Sequence, residues 1–145
     1  MYKKILLAYD GSQSGQRALL DCREIVQWSQ ADLTLIAVTP VHMEMMGVEG
    51  GIYDGNLVEQ DREKYQGVLD EGLRKLAEAG FHASGEVMYG EIVDEIVKFA
   101  SKMNADLIVV GHRHLDSWAA RWWRGSVSKS LIEHAPCSVL VVVNR

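Results

Sequence analysis

Short apolar runs alternate with amphipathic helical patterns along this whole chain, and that alternation restricts the fold more than any other feature. Ile5-Leu6-Leu7-Ala8-Tyr9 runs without polar interruption, the mark of a strand buried on both faces rather than one. It stops at Asp10-Gly11-Ser12, a turn and helix-start signal. Ala18, Cys22, Ile25 and Val26 then recur at helical spacing, which predicts a first helix ending near Trp28. Leu33 to Val38 reads as a second strand, stopped by Pro40. A connector over 39–57, rich in glycine and methionine, leads to a long helix over 57–79 with its stop at Gly80. Residues 82–89 form a weaker third strand. Ile92, Val93, Ile96, Val97 and Ala100 then mark an amphipathic helix. A fourth strand over 106–110, a helix over 126–134 and a fifth strand over 138–143 complete the pattern. Strands alternating with helices in this way predict a parallel sheet covered on both faces, within one domain spanning 1–145.

Charge and cysteine usage narrow the function classes. The net charge of -5 argues against a nucleic-acid binder driven by phosphate attraction. Cys22 and Cys137 stand far apart with no partner motif, as expected of a reduced, cytoplasmic protein. No apolar run reaches the roughly 20 residues of a membrane span, and Met1-Tyr2-Lys3-Lys4 leads directly into strand pattern rather than a signal peptide. The expectation is therefore no nucleic-acid partner and no membrane.

In open sheets of this type, ligands sit beyond the carboxyl ends of the strands. Three features fall there: Asp10 after the first strand, Val38-Thr39 after the second, and Gly111 after the fourth. Asp10 has two readings. It can accept from ribose hydroxyls or help hold Mg²⁺, or it can, with Ser12, shape the turn and cap the helix. Gly111 permits close backbone approach to a ligand, and Gly125 before Ser126 leaves free N–H groups at a helix start, where anions are favoured. Between them lies a segment with Arg113, Arg121 and Arg124 and with Trp118, Trp122 and Trp123. It reads as a guanidinium clamp for phosphate, as a partner-facing patch, or as a covering helix.

Other motifs are missing. His112 and His114 lack cysteine or carboxylate partners at familiar spacing, so no metal site is expected. In Gly11-Ser12-Gln13-Ser14-Gly15 the nucleophile position of an elbow is Gln13. No Walker A pattern occurs, and no G-x-G-x-x-G follows the first strand, which weighs against NAD or FAD.

The chain resembles the universal stress proteins over essentially its whole length. The resemblance is carried by Lys4-Ile5-Leu6-Leu7-Ala8-Tyr9-Asp10-Gly11-Ser12 and by Ala31-Asp32-Leu33-Thr34-Leu35-Ile36-Ala37-Val38. Its most specific part is the series Asp106 to His112, Gly125-Ser126-Val127-Ser128 and His134-Ala135-Pro136-Cys137-Ser138-Val139-Leu140-Val141-Val142. The resemblance implies a three-layer α/β/α fold, Rossmann-like and of the adenine nucleotide α-hydrolase-like type. It also implies a homodimer paired through the last strand, here 139–143. That pairing would cover an apolar edge that is otherwise an aggregation liability.

Some members of the family bind ATP and others do not. Binders resemble the pattern G-x-x-G, nine residues, then G-[ST]. Carried over, the nucleotide-binding residues are Asp10 for ribose and phosphate, Val38 for adenine, and Gly111, Gly125, Ser126 and Val127 for the phosphate chain. Two departures stand out: the second glycine is His114, and ten residues separate it from Gly125. Arg113 or Arg124 could replace lost N–H contacts to phosphate with charge-assisted ones. The expectation is a cytoplasmic stress-response module that binds ATP, with Mg²⁺ accompanying it, and has no dedicated catalysis. The alternatives are a nucleotide-free dimer that docks an unknown protein partner, and a slow ATPase.

Overall fold

The computed structural model describes residues 1–40, 55–113 and 126–144. Its elements run β1 (Lys4–Ala8), α1 (Gln13–Ser29), β2 (Asp32–Pro40), α2 (Gly55–Glu78), β3 (Ala83–Gly90), α3 (Ile92–Met103), β4 (Leu107–Arg113), α4 (Ser126–His134) and β5 (Ser138–Asn144). The five strands form one sheet in the order β3-β2-β1-β4-β5, and every neighbouring pair is parallel. The expected three-layer arrangement is thus present. Among the described residues no helix is long and apolar enough to cross a membrane.

β1 occupies the centre, and its composition explains why. Ile5, Leu6 and Leu7 are fully buried, which only a strand with neighbours on both edges and helices on both faces can achieve. Alternation divides them between two cores. Ile5, Leu7 and Tyr9 pack with Leu19, Cys22, Leu69 and Leu76 from α1 and α2. Leu6 packs on the opposite face with Ile36, Ile108, Ile96 and Leu131, beneath α3 and α4. At the amino end Asp106 anchors β4 to β1, accepting from the backbone N–H of Lys3 at 2.8 Å and of Lys4 at 3.1 Å.

Element ends follow local chemistry. Ser12 caps α1, its hydroxyl accepting from the Gly15 N–H at 3.0 Å. Glu91 caps α3 by accepting from the Asp94 N–H at 2.9 Å. α1 and α3 end in left-handed Gln30 and Asn104, while α2 is followed by Gly80 at φ +85. Two strands run further than their sequence patterns suggest. β2 continues through Pro40, which pairs with Gly90 at the strand's last position, where a missing N–H disturbs little of the ladder. β4 continues through Gly111, His112 and Arg113, because β5 extends to Asn144 beside it and supplies partners. Most of the 39–57 connector lies outside the described residues.

The two sheet edges differ. β3 exposes Ser84, Gly85 and Glu86, with Tyr89 near its end. β5 shows half-buried Val139, Leu140 and Val141 and exposed Val143, with exposed Ile132 on the neighbouring α4.

Two glycines of α2 make opposite predictions. A Cβ at Gly72 would lie 2.7 Å from Leu35 and 2.9 Å from the Tyr9 ring, whereas one at Gly67 would meet nothing within 4 Å. Gly67→Ala should stabilise by up to about 1 kcal/mol through helix propensity. Gly72→Ala should destabilise by about 1–3 kcal/mol despite the same propensity gain, because the contact is already filled. Urea midpoints of the two variants check both signs.

Cys22 supplies a pH prediction. Burial pushes its thiol from the ordinary 9.0 up to about 12. The folded state therefore holds the proton longer than the unfolded chain. The associated stability is fully present below pH 9 and is lost as pH rises toward 12. Cys22→Ala should lower stability at neutral pH but flatten the alkaline loss by up to about 1.4 kcal/mol per pH unit. Chemical denaturation at pH 8, 9 and 10 measures the slope.

Candidate functional site

The strand order reverses direction of travel at β1. The chain runs outward through β2 and β3, then returns to the other side of β1 as β4 and β5. At such a switch point the connections leaving β1 and β4 diverge and open a crevice at the carboxyl ends of the strands. Asp10, Val38, Gly111 and the start of α4 all belong to that end of the sheet.

Asp10 is exposed at the rim of the crevice. Its Oδ1 accepts from the backbone N–H of Ser12 at 2.9 Å and also from the Ser12 hydroxyl. A Cβ at Gly15 would lie 2.6 Å from this oxygen, so the carboxylate rests directly on the first turn of α1. Asp10 therefore does shape the turn, and Ser12 does cap the helix, as one of the two sequence readings held. That role engages Oδ1; among the described residues no hydrogen bond to Oδ2 is formed. Gly11, at φ +77, allows this turn, and a Cβ there would lie 3.3 Å from Val68 of α2.

Beneath the turn sits Tyr9, 3% exposed, with a hydroxyl that has no hydrogen-bond partner among the described residues. Burial raises its pKa first, with the charges of Glu71 and Asp10 adding to the effect. Burial raises the pKa of Tyr65 of α2 first, with the charges of Asp61 and then Asp10 adding to the effect. The Asp10 charge thus reaches across to the α2 side of the turn.

The remaining predicted residues divide into four groups. Val38 and Val127 are both half-buried against the α3/α4 core. Gly111 lies within β4, paired with Val142, rather than just beyond the strand end; the ladder to β5 carries it past the expected boundary. Arg113 ends β4, and Ser126 opens α4. Arg124, Gly125, His114 and the three tryptophans of the intervening segment lie outside the described residues.

Four described helices start at this end of the sheet; α3 and α4 do so on the same face, and the charges at their starts differ. α3 is capped by Glu91 and carries Asp94 and Glu95 in its first turn. Glu95 also closes over Gly90, where a Cβ would lie 2.9 Å from its side chain. α4 has no acid in its first turn. A helix start bears roughly half a positive charge from its unsatisfied N–H groups. At α3 the chain's own carboxylates answer that charge. The first turn of α4, which opens at Ser126 and Val127, carries no such carboxylate. Neither Glu91 nor this contrast was singled out from sequence, although the spacing Glu91-Ile92-Val93-Asp94 carries the capping signal.

An open groove of about 550 Å³ lies at the opposite pole, lined in part by Lys4, Thr34, His82, Ser84 and Lys102. There Lys4 Nζ donates to the Met103 carbonyl at 3.2 Å, capping the carbonyl end of α3. Among the described residues no group of three or more His, Cys, Asp or Glu is placed to hold a metal ion.

The sequence profile of the Universal stress protein family matches residues 1–143. A Staphylococcus aureus (strain USA300) protein that carries the universal stress protein name is 32% identical over 144 residues, covering 97% of this chain and 84% of its own length. Among solved structures, a universal stress protein family member from Burkholderia pseudomallei superposes with a TM-score of 0.77 at 26% identity, covering 97% of this chain and 96% of the other. An Arabidopsis thaliana universal stress protein family structure with AMP bound superposes with a TM-score of 0.73 at 22% identity, covering 99% and 92%. With the profile matched from the first residue to the last strand, and a relative aligned over nearly the whole length, this chain belongs to the universal stress protein family.

Proposed function

We propose that this chain is a cytoplasmic stress-response module that binds an adenine nucleotide in the crevice between β1 and β4, and does so without dedicated catalysis. The observation that carries the reading is the contrast between the two helix starts: α4 meets the crevice with no acid in its first turn, while α3 is answered by its own carboxylates. The Arabidopsis thaliana structure of the same fold with AMP bound supports the ligand class.

In this reading the phosphate chain lies on the N–H groups of Ser126 and Val127, with Gly125 and Gly111 allowing its approach. Arg113 and Arg124 supply charge to the phosphates. Asp10 faces the ribose, or a Mg²⁺ that arrives with ATP, through Oδ2, since Oδ1 serves the Ser12 turn. Val38 meets adenine. The protein works as a homodimer joined along β5. The contrast between its apolar edge and the polar edge of β3 favours that assembly.

Thermal denaturation with Mg-ATP tests the binding. At a hundredfold excess over Kd the nucleotide should add about 2.7 kcal/mol of stability. For a domain of this size that corresponds to a Tm rise of roughly 5–10 °C. Asp10→Asn keeps an oxygen for the Ser12 N–H while removing the charge. It should weaken binding about tenfold, or about 1.4 kcal/mol, with little change in the Tm of the free protein. No shift at millimolar nucleotide would leave the protein-docking dimer as the better reading. Phosphate release that disappears in Asp10→Asn would assign hydrolysis instead.

Assembly is tested separately. Val143, 48% exposed on the β5 edge, should tolerate lysine in the monomer but not in the pair. Val143→Lys should convert a dimer to a monomer in sedimentation velocity at micromolar concentration. A wild-type chain that sediments as a monomer would remove the β5 pairing.

A further inference from the structure

The nucleotide reading accounts for phosphate and ribose but gives the base only Val38. The register of β2 and β3 supplies what lies beside it. Val38 pairs with Met88, and both belong to the core cluster under α3 and α4. Strand alternation explains the shared face: Ile36, two residues before Val38, is fully buried in the same cluster. Ala8 and Ile92 join them there. All four are half-buried, whereas Leu6, Ile36 and Val110 below them are closed off. They therefore form the last apolar layer before the crevice.

Along β3 the residues on this face read Ser84, Glu86, Met88. The first two are exposed, so apolar character enters β3 on this side only at the crevice end. The neighbouring start of α3 carries Glu91, Asp94 and Glu95, which repel phosphate. That end of the crevice is thus apolar beneath and negatively charged alongside. It suits a flat, uncharged ring and rejects the anionic part of the ligand. An unbranched thioether adapts its shape to such a ring and gains a favourable sulfur–aromatic contact.

We propose that Met88, beside Val38 and Ile92, is the platform on which the nucleobase lies, and that it makes this crevice prefer a nucleotide to a bare sugar phosphate. The proposal rests on the nucleotide reading of the site, and the test separates the two. Isothermal titration compares AMP with ribose 5-phosphate, which carries the same phosphate and sugar without the base. In the wild type AMP should bind more tightly. Met88→Ala should weaken AMP about three- to tenfold and leave ribose 5-phosphate unchanged, while Met88→Leu, which keeps the apolar bulk, should retain most of the AMP affinity. Melting curves of the free variants confirm folding.

AMP affinity unchanged in Met88→Ala overturns the platform, as does an equal loss for both ligands, which marks a purely structural role. Equal wild-type affinity for the two ligands overturns it while preserving the anion site. A wild type that binds neither removes the nucleotide reading itself, and the platform with it.

Discussion

The structure depends on β1 being hydrogen-bonded along both edges. Its residues Ile5, Leu6 and Leu7 have no exposure, so their peptide groups must find partners within the protein. β2 supplies them on one side and β4 on the other. Because β4 follows β3 in the chain yet lies across β1 from β2, the connections part at this strand. The same pairing that buries the centre of the protein creates the crevice at its carboxyl end. The amino-end bonds from Lys3 and Lys4 to Asp106 hold the β1–β4 register, and through it the placement of Asp10 relative to α4.

Electrostatics then give the crevice a direction. Two helices start at this end on the same face of the sheet. One is occupied by its own carboxylates, and the other has none in its first turn. The apolar layer of Val38, Met88 and Ile92 lies at the occupied end. Charge and hydrophobicity therefore agree on which way an amphiphilic anion would lie. The sheet edges carry a similar contrast: β3 exposes Ser84 and Glu86 along with Tyr89, whereas β5 carries an unbroken apolar run from Val139 to Val143. An unpaired polar edge is compatible with water, while an apolar one invites a partner.

Most of the fold was legible in the sequence because each element carries its own period. The helix over 126–134 was bounded to the residue, and the strands around Ile5 and Leu35 were recognisable from uninterrupted apolar runs. The boundaries of β2 and β4 were less so. Pro40, Gly111, His112 and Arg113 are poor strand residues by local preference, and they join the sheet because Gly90, Val142, Val143 and Asn144 stand opposite. At the site, Asp10 was found from its place after an apolar run. Its turn-shaping role was one of two readings the sequence left open, and the packing of Ser12 and Gly15 against its Oδ1 bears that one out. Met88 carries no such signal, because Ser84 and Glu86 precede it on its face of β3 and break the apolar alternation.

By itself, the sequence determined the alternation of strand and helix, the burial of Ile5-Leu6-Leu7 on both faces, and the family to which the chain belongs. These follow from hydrophobic period and turn chemistry, which act between residues near one another in the chain. Tertiary structure alone decided which strands are neighbours, how far β4 extends, and that Met88 stands beside Val38. Those outcomes rest on pairing between segments distant in sequence, and no local pattern encodes them.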